Sequence, residues 1–313
     1  MSRLRAPAQP AVVGARDEAD RLLTPPGSLG VLDRAVDRVV ALGHADLTGG
    51  VLVLAGASHP VTDLGVSAFP ATVTADVLAA ADRGEALGTV AATAAGLRSV
   101  VVDCGTADGD LLHTDALPVA AVQALVERGR ALGAAEGTPG LVALGEVGIG
   151  NTTVAAALAA GLLGLSAEEV VGLGSGADSA MLERKRAVVE GALARVGTVS
   201  DPVRALAALG GPEVALLTGV ALGACSVGAV VVLDGLLTSV AALAAVLLEP
   251  AVAQHLVAGQ RSRERAHPAV LGRLGLEPLL DLRLRAGEGA GACFAAGMLL
   301  AALRVRRETG RTS

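Results

Sequence analysis

The chain has 313 residues, of which 52% are hydrophobic, and its formal net charge at pH 7 is −6. This length and apolar content predict one large α/β domain, with or without a small appendage, and not two equal domains. The acidic balance, with two phenylalanines and no tryptophan or tyrosine, argues against nucleic-acid binding, because phosphates and bases would find few partners.

The two ends of the chain differ in character from its middle. Residues 1–49 and 251–313 are more charged and helix-like, whereas 50–250 is strongly apolar. We therefore predict a large α/β domain over 50–250 and a small helical domain built from both terminal segments. The N-terminus has no apolar stretch suited to an export signal, which indicates a cytoplasmic protein. Three widely separated cysteines lie in apolar segments: Cys104, Cys225 and Cys293. They predict buried thiols in a reducing compartment, with no disulfide and no metal site.

Apolar runs that end at glycine or aspartate recur along the chain. They are VLVLAGA (51–57), SVVVDCG (99–105), GLVALGE (140–146), VVGLG (170–174) and AVVVLDG (229–235). Helix-like segments separate most of them, which predicts a Rossmann-like, mostly parallel sheet flanked by helices. Ligands of such sheets bind beyond the carboxyl ends of the strands, so the functional residues are expected in the loops that follow these runs.

The stretch GEVGIGNTT (145–153) has the spacing of a phosphate-binding loop, with asparagine where an NTPase carries lysine. Its glycines allow close backbone approach, and its hydroxyls lie where a helix would begin. An anion is therefore expected here, held by this set: Gly148, Gly150, Asn151, Thr152 and Thr153. Glu146 would repel a polyphosphate but could accept hydrogen bonds from ribose hydroxyls, which favours a nucleoside monophosphate as the ligand. The alternative is an ordinary strand-to-helix turn with capping threonines.

A second glycine-rich loop precedes the helix-like segment AMLERKRAVVEGAL. The loop contributes Gly174, Ser175 and Gly176, and the segment contains Lys185, the only lysine of the chain. A compact ammonium suits a single phosphate oxygen, which makes Lys185 a candidate phosphate ligand. The alternative is a solvated lysine on an Arg/Glu-rich helix face.

The uncharged run 214–233 is about long enough to span a bilayer, and the mean hydropathy of the chain is +0.59. A buried helix, EVALLTGVALGACS, followed by a buried strand, GAVVVLDG, explains this segment better than a membrane span does. Asp234 and Gly235 end the apolar run as a loop after a strand would. We therefore predict no membrane partner.

The segment RAGEGAGACF presents Glu288 between two glycines, directly before an apolar helix. A carboxylate on such a turn, next to the apolar surface of a helix, is suited to act as a general base. The alternative is an acidic N-terminal cap of that helix.

Long motifs in the same order resemble one family, the nicotinate-nucleotide–dimethylbenzimidazole phosphoribosyltransferases. They include LLTPPGSLGVLDRAV, GVSAFPATVTADV, GEVGIGNTT, RKRAVVEGAL, ALGGPEVALLTGVALGA, VVVLDG, RSRERAH and LGLEPLLDLRLRAGEGAGA. The resemblance implies a homodimer that transfers phosphoribose from nicotinate mononucleotide to a benzimidazole, without a cofactor. It also implies the roles of individual residues. Glu288 would be the general base, Glu146 the carboxylate near the ribose, and Lys185 a phosphate contact. Ser67 and Asp76 would bind substrate, with Asp76 in the base pocket.

Departures from the family pattern cluster in the base-binding half. Ser58-His59-Pro60 stands where the family reads Asp-His-Gly, and Asp76-Val77 stands where it reads Gln-Met. The segment RGEALGTV (83–90) replaces Gly-Gly-Ala-Ala-Ile-Asn. Either the accepted base differs or the protein is a non-catalytic, nucleotide-binding paralogue.

Overall fold

A computed structural model describes residue 4 and residues 6–138, 140–172 and 179–312. Its centre is a sheet of five parallel strands in the order β2-β1-β3-β4-β5. The strands are β1 (Gly50–Ser58), β2 (Leu97–Thr106), β3 (Leu141–Val147), β4 (Val230–Leu233) and β5 (Leu256–Ala258). The parallel α/β fold expected from the apolar runs is confirmed.

Helices cover both faces of the sheet. Before and between the first three strands lie α1 (Gln9–Ala19), α2 (Val31–Ala41), α3 (Val73–Asp82), α4 (Leu87–Ala94) and α5 (Val119–Glu136). Between β3 and β4 lie α6 (Asn151–Leu163), α7 (Ala167–Val170), α8 (Ser179–Val196), α9 (Pro202–Leu209) and α10 (Pro212–Ser226). The rest are α11 (Leu236–Leu248), α12 (His267–Leu274) and α13 (Ala290–Glu308). Short 3₁₀ segments span Pro60–Leu64 and Pro250–His255.

Alternate residues of each central strand enter different cores, because successive side chains of a strand point to opposite faces. In β1, Val51 and Val53 belong to the core formed with α5, α6, α10 and α11, whereas Leu52 and Leu54 belong to the core formed with α2, α4 and α13. All four side chains are fully buried. This two-sided burial explains why the strands read as continuous apolar runs without polar alternation.

The direction of chain progression reverses between β1 and β3, since β2 lies on one side of β1 and the later strands lie on the other. Loops diverge at such a point and leave a crevice at the carboxyl ends of the strands. Ser58 ends β1 and Val147 ends β3, so the stretch GEVGIGNTT begins at this crevice.

Two strand assignments made from sequence need correction. The run VVGLG is not a strand where it is described: Val170 ends the short helix α7, and 171–172 have no regular structure. The edge strand β5 was missed because three residues, LVA, carry almost no periodic signal.

The buried-helix interpretation of 214–233 is confirmed, since α10 is buried along nearly its whole length and β4 follows it. No helix of the described ranges is both long and apolar enough to cross a bilayer. The cysteines are free thiols. Cys225 and Cys293 are buried as expected, but Cys104 is only partly buried.

The two ends of the chain meet on one side of the molecule. The Arg306 guanidinium in α13 donates to Asp37 of α2 over 2.6 Å and also to the carbonyl of Ala15 in α1. An isolated antiparallel β-bridge pairs the backbone of Leu22 with that of Arg311. Through Val39 and Leu299, α2 and α13 also share a core with the sheet. The boundaries at 49 and 250 remain a prediction.

Candidate active site

Glu146 and Glu288, about 140 residues apart in sequence, lie side by side in the fold. The backbone amide of Glu288 donates a 2.9 Å hydrogen bond to the carbonyl oxygen of Glu146 at the end of β3. A Cβ on Gly145 would lie 2.7 Å from the Glu288 carbonyl oxygen, and one on Gly287 would lie 2.8 Å from Glu146 Oε1. Gly145 is therefore needed for close backbone packing, and Gly287 leaves room for the Glu146 carboxyl group.

Glu288 has a left-handed backbone, with φ of 64°, which is unfavourable for a residue with a side chain. Its carboxylate Oε2 accepts a 3.1 Å hydrogen bond from the amide of Gly88, in the first turn of α4. The side chain is half-buried. The hydrogen bond from Gly88 directs the carboxylate towards α4, and the N-cap of α13 is Gly289 without a side-chain hydrogen bond, so Glu288 does not cap its own helix.

Asp234, directly after β4, anchors the turn that carries Glu288. Its buried carboxylate accepts hydrogen bonds from the amides of Gly289 (3.2 Å) and Ala292 (3.1 Å) at the start of α13, and from Gln260 Nε2 (3.0 Å). Burial raises the pKa of Asp234 to about 6, although these hydrogen bonds oppose the rise. A single carboxylate thus joins β4, the segment after β5, and the N-terminus of α13.

Glu146 lies in acidic surroundings. Burial, followed by the charges of Asp234, Glu213 and Glu288, raises the pKa of Glu146 to about 8, and a hydrogen bond from the side-chain amide of Asn151 opposes the rise. At neutral pH the free protein therefore holds Glu146 largely protonated, so it can donate as well as accept a hydrogen bond.

The loop after β3 has the expected strand-turn-helix geometry. Gly150 has φ of 90°, and α6 begins at Asn151. The loop is held by α3, since the amide of Ile149 donates 3.0 Å to Thr74 Oγ1. A Cβ on Gly148 would lie 2.8 Å from the Ala57 carbonyl oxygen, so this glycine is required where the loop crosses the end of β1.

Lys185 of α8 reaches this loop. Its Nζ donates to Thr152 Oγ1 over 3.3 Å, and the residue is only 5% exposed. Burial lowers the pKa of Lys185, while the charge of Glu264 opposes the fall. The alternative of a solvated lysine is therefore wrong. The predicted ligands Gly174, Ser175 and Gly176 lie outside the described residues.

A cavity of about 100 Å³, here called the central cavity, opens at the carboxyl ends of β3, β4 and β5. Glu146, Asn151, Thr152, Asp234, Gln260 and Ser262 are among the residues that line it. Within the described chain, Gln260 Oε1 and Ser262 Oγ have no hydrogen-bond partner despite their burial, and the same holds for Thr153 Oγ1 in the adjacent loop. Unpaired buried polar atoms are costly, so these atoms are suited to contact a polar ligand.

A buried hydrogen-bonded pair, His59 and Glu213, lies next to the glycine loop and was not predicted from the sequence. His59 Nε2 and Glu213 Oε1 are 2.9 Å apart, and both residues are almost completely buried. A Cβ on Gly148 would lie 3.0 Å from the same His59 nitrogen. This pair therefore links the end of β1, α10 and the glycine loop.

The predicted substrate-binding residues Ser67 and Asp76 are not brought into the central cavity. Ser67 is partly buried and its hydroxyl accepts the amide of Phe69 over 3.2 Å. Asp76 lies exposed in the first turn of α3. No group of three metal-ligating side chains occurs among the described residues. The roles of Ser67 and Asp76 remain predictions.

Comparison with known proteins gives one consistent result. A sequence model of the family described as Phosphoribosyltransferase matches residues 4–313. The nicotinate-nucleotide–dimethylbenzimidazole phosphoribosyltransferase of Chloroflexus aggregans is 38% identical over 95% of this chain and 91% of its own length. The relative of the same name from Thermus thermophilus is 39% identical over 93% of each chain. The crystal structure of CobT from Thermus thermophilus matches with a TM-score of 0.91 and 36% identity, over 96% of this chain and 97% of that one.

Proposed function

The chain belongs to the phosphoribosyltransferase family that includes these nicotinate-nucleotide–dimethylbenzimidazole phosphoribosyltransferases, and from this membership we propose its reaction. The enzyme transfers the phosphoribosyl group of nicotinate mononucleotide to 5,6-dimethylbenzimidazole or a related base. The products are α-ribazole 5′-phosphate, used in cobalamin biosynthesis, and nicotinate. The convergence of Glu288, Glu146 and Lys185 at one edge of a parallel sheet is the observation that carries the proposal.

The reaction needs one base and no acid. A benzimidazole nitrogen attacks the anomeric carbon, and the bond from that carbon to the pyridinium nitrogen breaks with its electron pair going to nicotinate. The second benzimidazole nitrogen becomes acidic as the new bond forms, and its proton passes to the Glu288 carboxylate. Attack from the face opposite nicotinate inverts the configuration at the anomeric carbon.

Binding of the nucleotide divides between two regions of the crevice. The loop 148–153 and Lys185 hold the single phosphate, because the loop brings backbone and hydroxyl donors to the start of α6 beside a buried ammonium. Glu146 contacts the ribose hydroxyls. Its raised pKa lets it donate one hydrogen bond and accept another, which suits a diol.

Incubation with nicotinate mononucleotide and dimethylbenzimidazole, followed by chromatography for released nicotinate, tests the proposal. Base-dependent release of nicotinate with formation of α-ribazole 5′-phosphate is expected. Nucleotide binding without release, across a panel of benzimidazoles, purines and phenols, would instead indicate a non-catalytic binder. The presence of Glu288, Glu146 and Lys185 together favours an enzyme over a non-catalytic binder.

We also propose a cytoplasmic homodimer and a small helical domain from 1–49 and 251–313, apart from β5, which belongs to the central sheet. Support for the dimer comes from an exposed apolar surface on the packed helices α4 and α13, which consists of Leu87, Val90, Phe294 and Met298. Light scattering on the intact protein tests this assembly, and a Phe294→Glu, Met298→Glu variant is expected to shift it towards monomer.

A further inference from the structure

A second, wider cavity lies beside the central one and is lined mainly by arginine. It has a volume of about 550 Å³ and is formed by residues of 261–268 and 281–285. Five exposed arginines line this arginine groove: Arg261, Arg263, Arg265, Arg283 and Arg285. The described lining also contains two carboxylates, Glu264 and Asp281, so its formal net charge is +3.

This positive charge stands out against the rest of the molecule. The chain as a whole carries −6, and the central cavity is bordered by the carboxyl groups of Glu146 and Asp234. A dianionic nucleotide is therefore repelled by the net charge of the molecule and by the carboxylate of Asp234, whereas Glu146 is largely protonated at neutral pH. The arginine groove adjoins the site, and among its described lining residues the five arginines outnumber the two carboxylates.

The two cavities are continuous in their lining. Ser262, Arg263, Glu264 and Arg285 belong to both. The central cavity alone, at about 100 Å³, is well below the roughly 300–1,000 Å³ typical of small-molecule sites, so a nucleotide cannot reach it without occupying adjoining space. The groove provides that space on the side where β5 ends.

We propose that the arginine groove is a capture site for the phosphomonoester dianion of nicotinate mononucleotide, which concentrates the substrate before it enters the central cavity. The inference rests on the proposed function. The groove differs from the final phosphate site at the loop 148–153 and Lys185, because its arginines are exposed, permanently charged and screened by salt. Exposed charges act weakly one by one, but several of one sign around a cavity raise the local concentration of a counter-ion.

The outer arginines Arg261 and Arg265 allow a test, because neither lines the central cavity. The double variant Arg261→Gln, Arg265→Gln removes two positive charges, and Arg261→Glu, Arg265→Glu reverses them. The matched control is Arg98→Gln, Arg304→Gln. It removes the same charge at the amino end of β2, opposite the site, and in the last turns of α13. Arg98 and Arg304 each form an ion pair, as Arg261 does with Asp281.

Steady-state kinetics of nicotinate release, measured over a series of ionic strengths, are the readout. At low salt the Gln pair is expected to lower kcat/KM for nicotinate mononucleotide about twofold and the Glu pair about fivefold or more, with kcat nearly unchanged. Salt should lower kcat/KM of the parent enzyme and of the control alike, but it should lower that of the Glu pair much less.

Three outcomes would overturn the inference while leaving the proposed function standing. One is turnover with the same kcat/KM and salt dependence in the Glu pair and the control. Another is a fall in kcat alone, which would make the groove an exit for products and not a capture site. The third is an equal loss in kcat/KM for the uncharged control substrate nicotinate riboside. Absence of any nicotinate release by the parent enzyme would reject the proposed function itself.

Discussion

The backbone amide of Gly88 donates a 3.1 Å hydrogen bond to Oε2 of Glu288, and Gly88 has no room for a side chain at that contact. A Cβ at position 88 would lie 2.0 Å from the Glu288 carbonyl oxygen and 2.8 Å from its Cβ. Gly88 belongs to the segment RGEALGTV, which departs from the family pattern. The divergent segment therefore touches the proposed general base directly, in addition to any effect on the choice of base.

Gly88→Ala should displace Glu288 and lower kcat by about 100-fold, the order expected when a catalytic group moves by about 1 Å. The clash with the Glu288 backbone outweighs the better helix propensity of alanine, so the thermal midpoint should also fall, and kcat is compared at a temperature at which the variant is folded. Gly297→Ala is the matched control. It lies in α13 against α4, and its Cβ would make an ordinary 3.4 Å contact with Ala95. Equal activity of the two variants would contradict the positioning role of Gly88.

Glu288→Gln keeps the size of the side chain and a partner for the Gly88 amide, but it removes the base. Turnover is expected to fall by roughly two to four orders of magnitude, while binding of nicotinate mononucleotide survives. Calorimetric titration of the variant, beside single-turnover assays, separates the two effects. Unchanged turnover would eliminate Glu288 as the base.

Lys185→Ala removes a buried ammonium beside the glycine loop. The lost charge-assisted hydrogen bond should weaken nicotinate mononucleotide by about 10- to 100-fold and leave nicotinate riboside nearly unaffected, because only the former has a phosphate. Glu183→Ala, on the exposed face of the same helix, is the control. Equal weakening of both ligands would remove Lys185 from the phosphate site.

Glu146 should make stability depend on pH. Its pKa is raised from 4.5 to about 8 in the folded protein, so the native state holds a proton that the unfolded chain has released between these values. The free energy of unfolding therefore falls as pH rises through this window. Glu146→Gln removes the penalty, so its thermal midpoint relative to the parent should be higher at pH 8 than at pH 5. Glu190→Gln, at an exposed position of α8, should show no such difference.

Asp76→Gln tests the choice of base. If Asp76 contacts the base, an amino- or hydroxyl-bearing ring such as adenine should compete with dimethylbenzimidazole better in the parent than in the variant, because a carboxylate accepts its hydrogen bond. The ratio of the two products in competition assays is the readout. Since Asp76 is exposed, a severalfold change in that ratio is expected. An unchanged ratio would show that Asp76 does not set the choice of base.

The sequence predicted the parallel sheet and four of its strands because β1, β3 and β4 are buried on both faces and read as unbroken apolar runs, while the more exposed β2 still contains the β-branched run VVV. It did not predict β5, whose three residues are too few to form a pattern, and so Gln260 and Ser262 at its end were not considered as site residues. The glycine motifs indicated where the chain turns close to a ligand. They could not indicate which motifs meet.

The contact between Glu146 and Glu288 illustrates that limit. Nothing local to either segment specifies the other, because the pairing depends on the packing of α13 against the sheet and on the buried Asp234. The contact of Gly88 with Glu288 was likewise invisible. A glycine in the first turn of a helix has no local signal that distinguishes flexibility from close approach.

The position of α13 has a consequence for the synthesis of the protein. Because α13 covers Leu52 and Leu54 of the first strand together with α2 and α4, part of one face of the central sheet stays uncovered until α13 has left the ribosome. The nascent protein therefore carries an exposed apolar surface for most of its translation, which is a hazard for aggregation. A stop codon shortly before Ala290 would leave that surface exposed permanently. Such truncated chains should accumulate as insoluble protein and not as a folded, inactive enzyme.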